Sequence, residues 1–159
     1  MSRHQHVWQL GDITHIVFNL CERSDCDYFE RAALAKCMVD GIAQLTEFHA
    51  CPVYSYCVMP DHVHIVLKFA VEPKIAMRFL KGNSANHLNR LIGKTGQFWQ
   101  HSTHDEVIKT KEQFLNACFY VWLNPVKAAL VTDPAEYAYS NYVQMHKKIN
   151  RIAAELFPS

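Results

Sequence analysis

Residues Met59 to Phe69 read M-P-D-H-V-H-I-V-L-K-F, a turn followed by a strand that carries two histidines one residue apart. Met-Pro-Asp is turn chemistry, and His62 to Phe69 alternates as a strand requires. Successive side chains of a strand point to opposite faces. Val63, Ile65, Leu67 and Phe69 thus form one apolar stripe, while His62, His64, Val66 and Lys68 share the other face. The two imidazoles point together, away from the apolar stripe, with their Cβ atoms close enough to grip one ion. Neutral imidazole is a common metal ligand, and a pKa of about 6.5 keeps it available at cytosolic pH. On these residues alone a solvated strand face explains the pair as well.

Working outward, Pro52 to Val58 is a second strand, joined to the histidine strand by the 59–61 turn. Asp12 to Leu20, D-I-T-H-I-V-F-N-L, places Ile16, Phe18 and Leu20 on one side, as a strand does. After the polar loop C-E-R-S-D-C-D, Tyr28 to His49 has helical periodicity through Phe29, Ala33, Cys37, Val39, Ile42 and Leu45. Pro73 opens a helix running to about Ile92. Residues 98 to 109 hold a fourth strand near their end, and Lys111 to Asn124 is a final helix. The order β-α-β-β-α-β with one added helix is that of an α+β, ferredoxin-like fold. Such a sheet has its first and third strands in the centre and helices on one face. The histidine strand is therefore expected in the middle of the sheet. With no repeat, low-complexity tract or linker, the chain reads as a single domain over 1–159, with a core at about 12–143.

The 159 residues are enough for one domain with a real core. Half are hydrophobic and 12% aromatic, which excludes a disordered chain. A net charge of +1 excludes a polycation, so nucleic-acid binding has to rest on charge distribution. M-S-R-H-Q-H-V-W-Q-L-G-D has no apolar core of signal-peptide length, and no run approaches the roughly 20 apolar residues of a membrane span. A cytoplasmic protein without membrane contact is expected. Cys21, Cys26, Cys37, Cys51, Cys57 and Cys118 read as small buried hydrophobes of a reducing compartment. The Cys21-x4-Cys26 pair lacks partners at zinc-site spacing.

Charge is unevenly distributed. From Pro73 to His104 there is no Asp or Glu, but Lys74, Arg78, Lys81, Arg90 and Lys94 are present. Lys74, Arg78 and Lys81 fall on one ridge of a helix. A solvated helix face ordinarily mixes both signs, so this segment is expected to track the phosphates of DNA. Phe98 and Trp99 adjoin it and suit either base stacking or the core.

The final helix, K-E-Q-F-L-N-A-C-F-Y-V-W-L-N-P over 111–125, has two stripes. Phe114, Leu115, Cys118, Val121 and Trp122 are apolar. Gln113, Asn116, Tyr120 and Asn124 are polar, with Tyr120 and Asn124 one turn apart. Taken alone, Asn124 before Pro125 also reads as the N-cap of a following helix V-K-A-A-L-V, and Tyr120 as a buried aromatic.

M-P-D-H-V-H-I-V-L, F-W-Q, H-D-E-V-I and Y-V-W-L-N-P-V-K-A-A-L-V, in that order, resemble the single-tyrosine HUH transposases, and most closely the REP-associated tyrosine transposases. The resemblance runs from about residue 12 to residue 143. In HUH the central letter is a hydrophobic residue, here Val63. The resemblance implies that His62 and His64 are metal ligands, Asn124 the third through its amide oxygen, and Tyr120 the nucleophile. It implies Mg²⁺ or Mn²⁺, and single-stranded, hairpin-bearing DNA nicked and rejoined through a covalent 5′-phosphotyrosine. It also implies a cytoplasmic, nucleoid-associated bacterial protein, either a monomer or a homodimer that exchanges the tyrosine helix. Three positions depart from the family pattern. Trp122 replaces a polar residue, with local DNA contacts in question, Ala129 replaces a common Gly, and Lys127 a common Arg.

Two rival functions are weighed against this one. A nucleotide hydrolase built on H-x-H needs further acidic or histidine ligands, and Asp61, the one carboxylate adjacent to the pair, reads as a turn residue. A domesticated hairpin-DNA-binding module with weak or lost cleavage needs none of the four chemical groups that are present.

Overall fold

Period-two alternation resolves into four strands: β1 (Ile13–Asn19), β2 (Val53–Val58), β3 (His62–Lys68) and β4 (His104–Ile108). The structure, a computed structural model, describes residues 8–21 and 27–159. The expectations for the N-terminal segment to residue 7 and for loop residues 22–26, Cys26 included, lie outside the described residues. Cys21, Cys37, Cys51, Cys57 and Cys118 are free thiols.

The strands form one antiparallel sheet in the order β2-β3-β1-β4. β1 and β3 are central, as the ferredoxin-like order requires. Register sets Val17 opposite His64, Asn19 opposite His62 and His15 opposite Glu106. These residues therefore share one face of the sheet.

The opposite face carries Ile16, Phe18, Val63, Ile65 and Leu67. It is covered by α1 (Ala32–His49) and α2 (Pro73–Ile92), whose Leu34, Met38, Leu45, Leu80 and Leu88 complete the larger core. Tyr28–Glu30 is a 3₁₀ turn, and Arg31 is extended, so α1 begins at Ala32 rather than at Tyr28. The C-cap residue Ala50 turns left-handed to close α1.

Helices cover both faces, in contrast to the one-sided cover expected from the sequence. The histidine face is not polar throughout. Ile13, Cys57, Val66 and Ile108 lie on it, and they are buried by α3 (Lys111–Lys127) and α5 (Ile149–Leu156) through Phe114, Cys118, Val121, Trp122, Ile149 and Ala153. A short α4 (Tyr142–Met145) precedes α5. The Thr110 hydroxyl caps α3 by accepting from the Gln113 N–H, and the Gln113 side-chain Oε1 accepts from the Lys109 N–H, a reciprocal arrangement that fixes where the helix starts. Pro125 does not end it. The helix continues through Pro125 to Lys127, and Asn124 caps no new helix. Among the described residues no helix is long and apolar enough to cross a membrane.

Candidate active site

The sheet and α3 assemble the site between them. His62 and His64 stand on the start of central strand β3, and Tyr120 on the third turn of α3. The His62 and His64 Nε2 atoms converge to 3.1 Å. Two ligands bonded at about 2.0–2.2 Å and set at right angles around an ion lie about 3 Å apart, so the two nitrogens are spaced as cis ligands.

The other nitrogen of each ring is occupied. His62 Nδ1 lies 2.6 Å from Asp61 Oδ1, and His64 Nδ1 lies 3.1 Å from His15 Nε2. In the tautomer in which its Nδ1 donates to the Asp61 carboxylate, His62 turns an Nε2 lone pair into the site. His64 does the same when its Nδ1 donates to His15. Burial first, then the neighbouring His62 and His15, push the His64 pKa down to about 3. Burial, opposed by Glu106, also lowers His15. Burial thus disfavours the charged form of both His64 and His15, and the neutral imidazole is the form that binds metal.

The Tyr120 ring stands edge-on to two imidazoles, 5.8 Å from His64 and 5.9 Å from His15 between centroids. It is 45% exposed, which excludes the buried-aromatic alternative and leaves its hydroxyl open to a ligand. Lys127 Nζ lies 4.4 Å from the Tyr120 ring centroid, a fixed positive charge beside the phenol.

Asn124 is one turn beyond Tyr120, but its Nδ2 donates to the Tyr120 carbonyl at 2.9 Å, and it makes no hydrogen bond to either imidazole. Among the described residues no third His, Cys, Asp or Glu completes a ligand set. The donor chemistry present, two imidazoles with converging Nε2 atoms, fits a divalent ion whose remaining positions are filled by amide or water oxygens.

The basic residues lie elsewhere. Lys74, Arg78, Arg90 and Lys94 are exposed, but α2 packs on the face opposite α3. The sheet thus separates the Lys74–Arg78–Lys81 ridge from the histidines. Lys81 is partly buried, and its Nζ donates to the Gln100 carbonyl at 2.8 Å. Lys94 Nζ donates to the Tyr28 hydroxyl at 2.8 Å. Trp99 is core: it is 4% exposed, packs against Phe18 and Phe29, and donates its indole N–H to Ser84, so its ring is not offered to a base. Phe98, 5% exposed, is core as well. Trp122 is fully buried and donates to Asn141 Oδ1 at 2.8 Å, so this departure from the family pattern serves packing rather than DNA contact.

His15 and Asp61 are the residues of the histidine cluster that a motif reading misses. The alternation that pairs His62 with His64 also puts His15 on the opposite face of β1 from Ile16 and Phe18. Only the register of β1 on β3 brings it to His64.

The sequence profile of the family described as "Transposase IS200 like" matches residues 8–117, which ends three residues before Tyr120. Over 127 residues the chain is 23% identical to a Haemophilus influenzae protein provisionally described as a REP-associated tyrosine transposase, covering 72% of this chain and 69% of that protein. A solved structure, described as a REP-associated tyrosine transposase bound to a REP hairpin, is similar with a TM-score of 0.72 and 17% identity. It covers 99% of this chain and 89% of that one. At this identity the likeness is one of fold.

Proposed function

The chain belongs to the IS200-like transposase family, and on that premise we propose that it nicks and rejoins single-stranded, hairpin-bearing DNA in a metal-dependent reaction. One observation carries the reading: two imidazoles with converging Nε2 atoms, each anchored at its other nitrogen, lie one ring away from an exposed tyrosine.

Tyr120 Oη attacks the phosphorus. The Oη–P bond forms as the P–O3′ bond breaks, giving a 5′-phosphotyrosine and a free 3′-hydroxyl. The phenol proton passes to water, and the departing 3′ oxygen takes a proton in return. Because the phosphoester count is unchanged, a 3′-hydroxyl reverses the step without ATP. Lys127 is placed to meet the negative charge of the phosphate beside Tyr120. His62 and His64 would hold the divalent ion, and Asn124 would supply the third ligand through its amide oxygen, since only its Nδ2 is spent on the Tyr120 carbonyl. When bound, the ion polarises the non-bridging phosphate oxygens. Imidazole suits Mn²⁺ better than Mg²⁺, so Mn²⁺ is expected to bind more tightly. The hairpin-bound neighbour of the same fold supports DNA as the partner.

A second reading, a hairpin-binding module without cleavage, is favoured by the engagement of Asn124 along its own helix. Incubation of labelled hairpin-bearing single-stranded DNA with protein and Mn²⁺, followed by denaturing gels, separates the two. A protein–DNA adduct lost in Tyr120→Phe supports the nuclease. An adduct that persists in Tyr120→Phe removes Tyr120 from its role, and cleavage surviving both His64→Ala and chelation removes the metal site. Full binding with no cleavage under any metal establishes the module.

A further inference from the structure

Beside Tyr120, between α3 and the β1–β4 side of the sheet, lies a cleft of about 480 Å³ bordered by His15, Glu106, Gln113, Asn116 and Tyr120, with Ile108 and Ala117 beneath. We propose that it is a base-reading subsite, taking one unpaired guanine from the nucleotide next to the bond that Tyr120 cuts. This rests on the nuclease reading for its placement but not for its test.

The composition of the cleft selects the ligand. Among the described residues no Lys or Arg borders it, and its one charged group is the Glu106 carboxylate, so a phosphate is repelled. Two aromatic rings, His15 and Tyr120, stand at its border; His64 stacks on one face of His15 and Lys127 lies over one face of Tyr120, which leaves each ring one further face for a base to stack on. Ile108 and Ala117 supply an apolar floor. The volume falls in the range of small-ligand clefts and takes a nucleotide but not a duplex.

The hydrogen-bonding groups are unspent. Glu106, Asn116 and Gln113 are exposed. Among the described residues, Glu106 and Asn116 make no side-chain hydrogen bond or ion pair. Gln113 uses its oxygen on the Lys109 N–H and keeps its amide donor for a ligand. Gln113 and Asn116 are i and i+3, so they sit side by side on the face that also bears Tyr120. A carboxylate accepts two parallel N–H bonds. Among the four bases only guanine presents adjacent donors, N1–H and the N2 amine, with an acceptor, O6, next to them for an amide N–H. Thymine has one such donor flanked by two acceptors, which face the carboxylate unfavourably. A DNA strand that sets a phosphate against Tyr120 hangs the adjoining base within reach of this cleft, because Tyr120 borders both.

The test needs neither metal nor cleavage. Five-nucleotide thymidylate strands with a central G, inosine, A, C or T are titrated against the full chain, following the side-chain amide signals of Gln113 and Asn116 by NMR. The G strand is expected to shift both signals and bind about ten-fold tighter than the T strand, with inosine, which lacks the N2 amine, in between. Glu106→Gln should erase the G preference, and Asn116→Ala should reduce it. Both positions are exposed, so neither change threatens folding. Equal binding of G and T, or a G preference intact in both variants, overturns the proposal. If guanine is selected but no DNA is cut, the nuclease reading fails alone. If DNA is cut with no base preference in the cleft, this inference fails alone.

Discussion

Asn141 decides how firmly the tyrosine helix is held. It is 7% exposed, and its Oδ1 accepts from the Tyr56 N–H at 2.9 Å and from Trp122 Nε1 at 2.8 Å. Its Nδ2 donates to the Tyr54 carbonyl at 3.3 Å. One side chain thus ties β2 and α3 to the segment leading into α4. Asn141→Ala leaves two donors without their acceptor, each costing about 1–3 kcal/mol when buried. Allowing for partial relaxation around the small side chain, the loss should be about 3 kcal/mol, a large share of a typical domain stability. For a chain of this length that lowers Tm by roughly 6–12 °C. Urea titration followed by circular dichroism reads it as a lower midpoint at unchanged slope. A double-mutant cycle sharpens the test. In wild type, Trp122→Phe costs a hydrogen bond and some packing. In the Asn141→Ala background it removes an already orphaned indole N–H and should be close to neutral. A coupling of about 1–2 kcal/mol is therefore expected. A loss below about 1 kcal/mol for Asn141→Ala, or additive behaviour in the cycle, would refute the reasoning.

Four further outcomes follow from the same geometry. His15→Phe, which cannot accept from His64 Nδ1, should weaken Mn²⁺ binding by roughly ten- to a hundred-fold in calorimetry, whereas His15→Gln, which offers an oxygen, should stay near wild type; equal losses would show that His15 only packs. In metal-free buffer, His64 has a folded pKa of about 3 against about 6.5 unfolded. The unfolded chain then binds the extra proton, so stability is whole above about pH 6.5 and falls as the pH drops toward 3, by roughly 2 kcal/mol at pH 5; the loss between pH 7.5 and 5 should shrink in His64→Gln. Ala129 holds φ at 58° and Ala50 at 54°, where a Cβ is unfavourable, so Ala129→Gly and Ala50→Gly should each stabilise by about 0.5–1 kcal/mol, read from urea midpoints, and add when combined. Removing Lys74 and Arg78 together should lower the salt slope of hairpin binding by roughly one unit for each phosphate no longer neutralised, and an unchanged slope would place the DNA on the α3 face alone.

The fold was legible because its evidence is local. The alternation of β1 and β3, the turn at 59–61 and the proline opening α2 each follow from a few neighbouring residues. What the sequence hid depends on long-range register. Nothing near His15 says that it meets His64, 49 residues away, and Asp61 gave its turn signal without disclosing its bond to His62. Trp99 shows the limit of charge context: it adjoins a basic segment, yet its indole N–H reaches Ser84 inside the core. Pro125 shows the limit of local rules, since a proline in the last turn of α3 forfeits one hydrogen bond while its buried ring packs in place.

On the proposed nuclease reading, the separation of the basic ridge from the tyrosine by the sheet constrains how nucleic acid can reach both. A strand touching Lys74 and Arg78 has to pass an edge of the sheet to arrive at Tyr120. The β2 edge is closed, because the Val58 N–H donates to the Tyr139 carbonyl and Cys57 bridges to Ser140. Among the described residues no strand pairs with the outer edge of β4, and His104 and Glu106 are exposed on it. Lys81 already reaches toward that side through Gln100, which leads into β4. An open edge is ordinarily a liability for self-association. Among the described residues Trp8 Nε1 donates to Asp105 Oδ2 on this strand, on the face opposite Glu106, so on the proposed nuclease reading a single strand passing from the α2 ridge to the Glu106 cleft runs beside Trp8 along an edge that strand pairing would close.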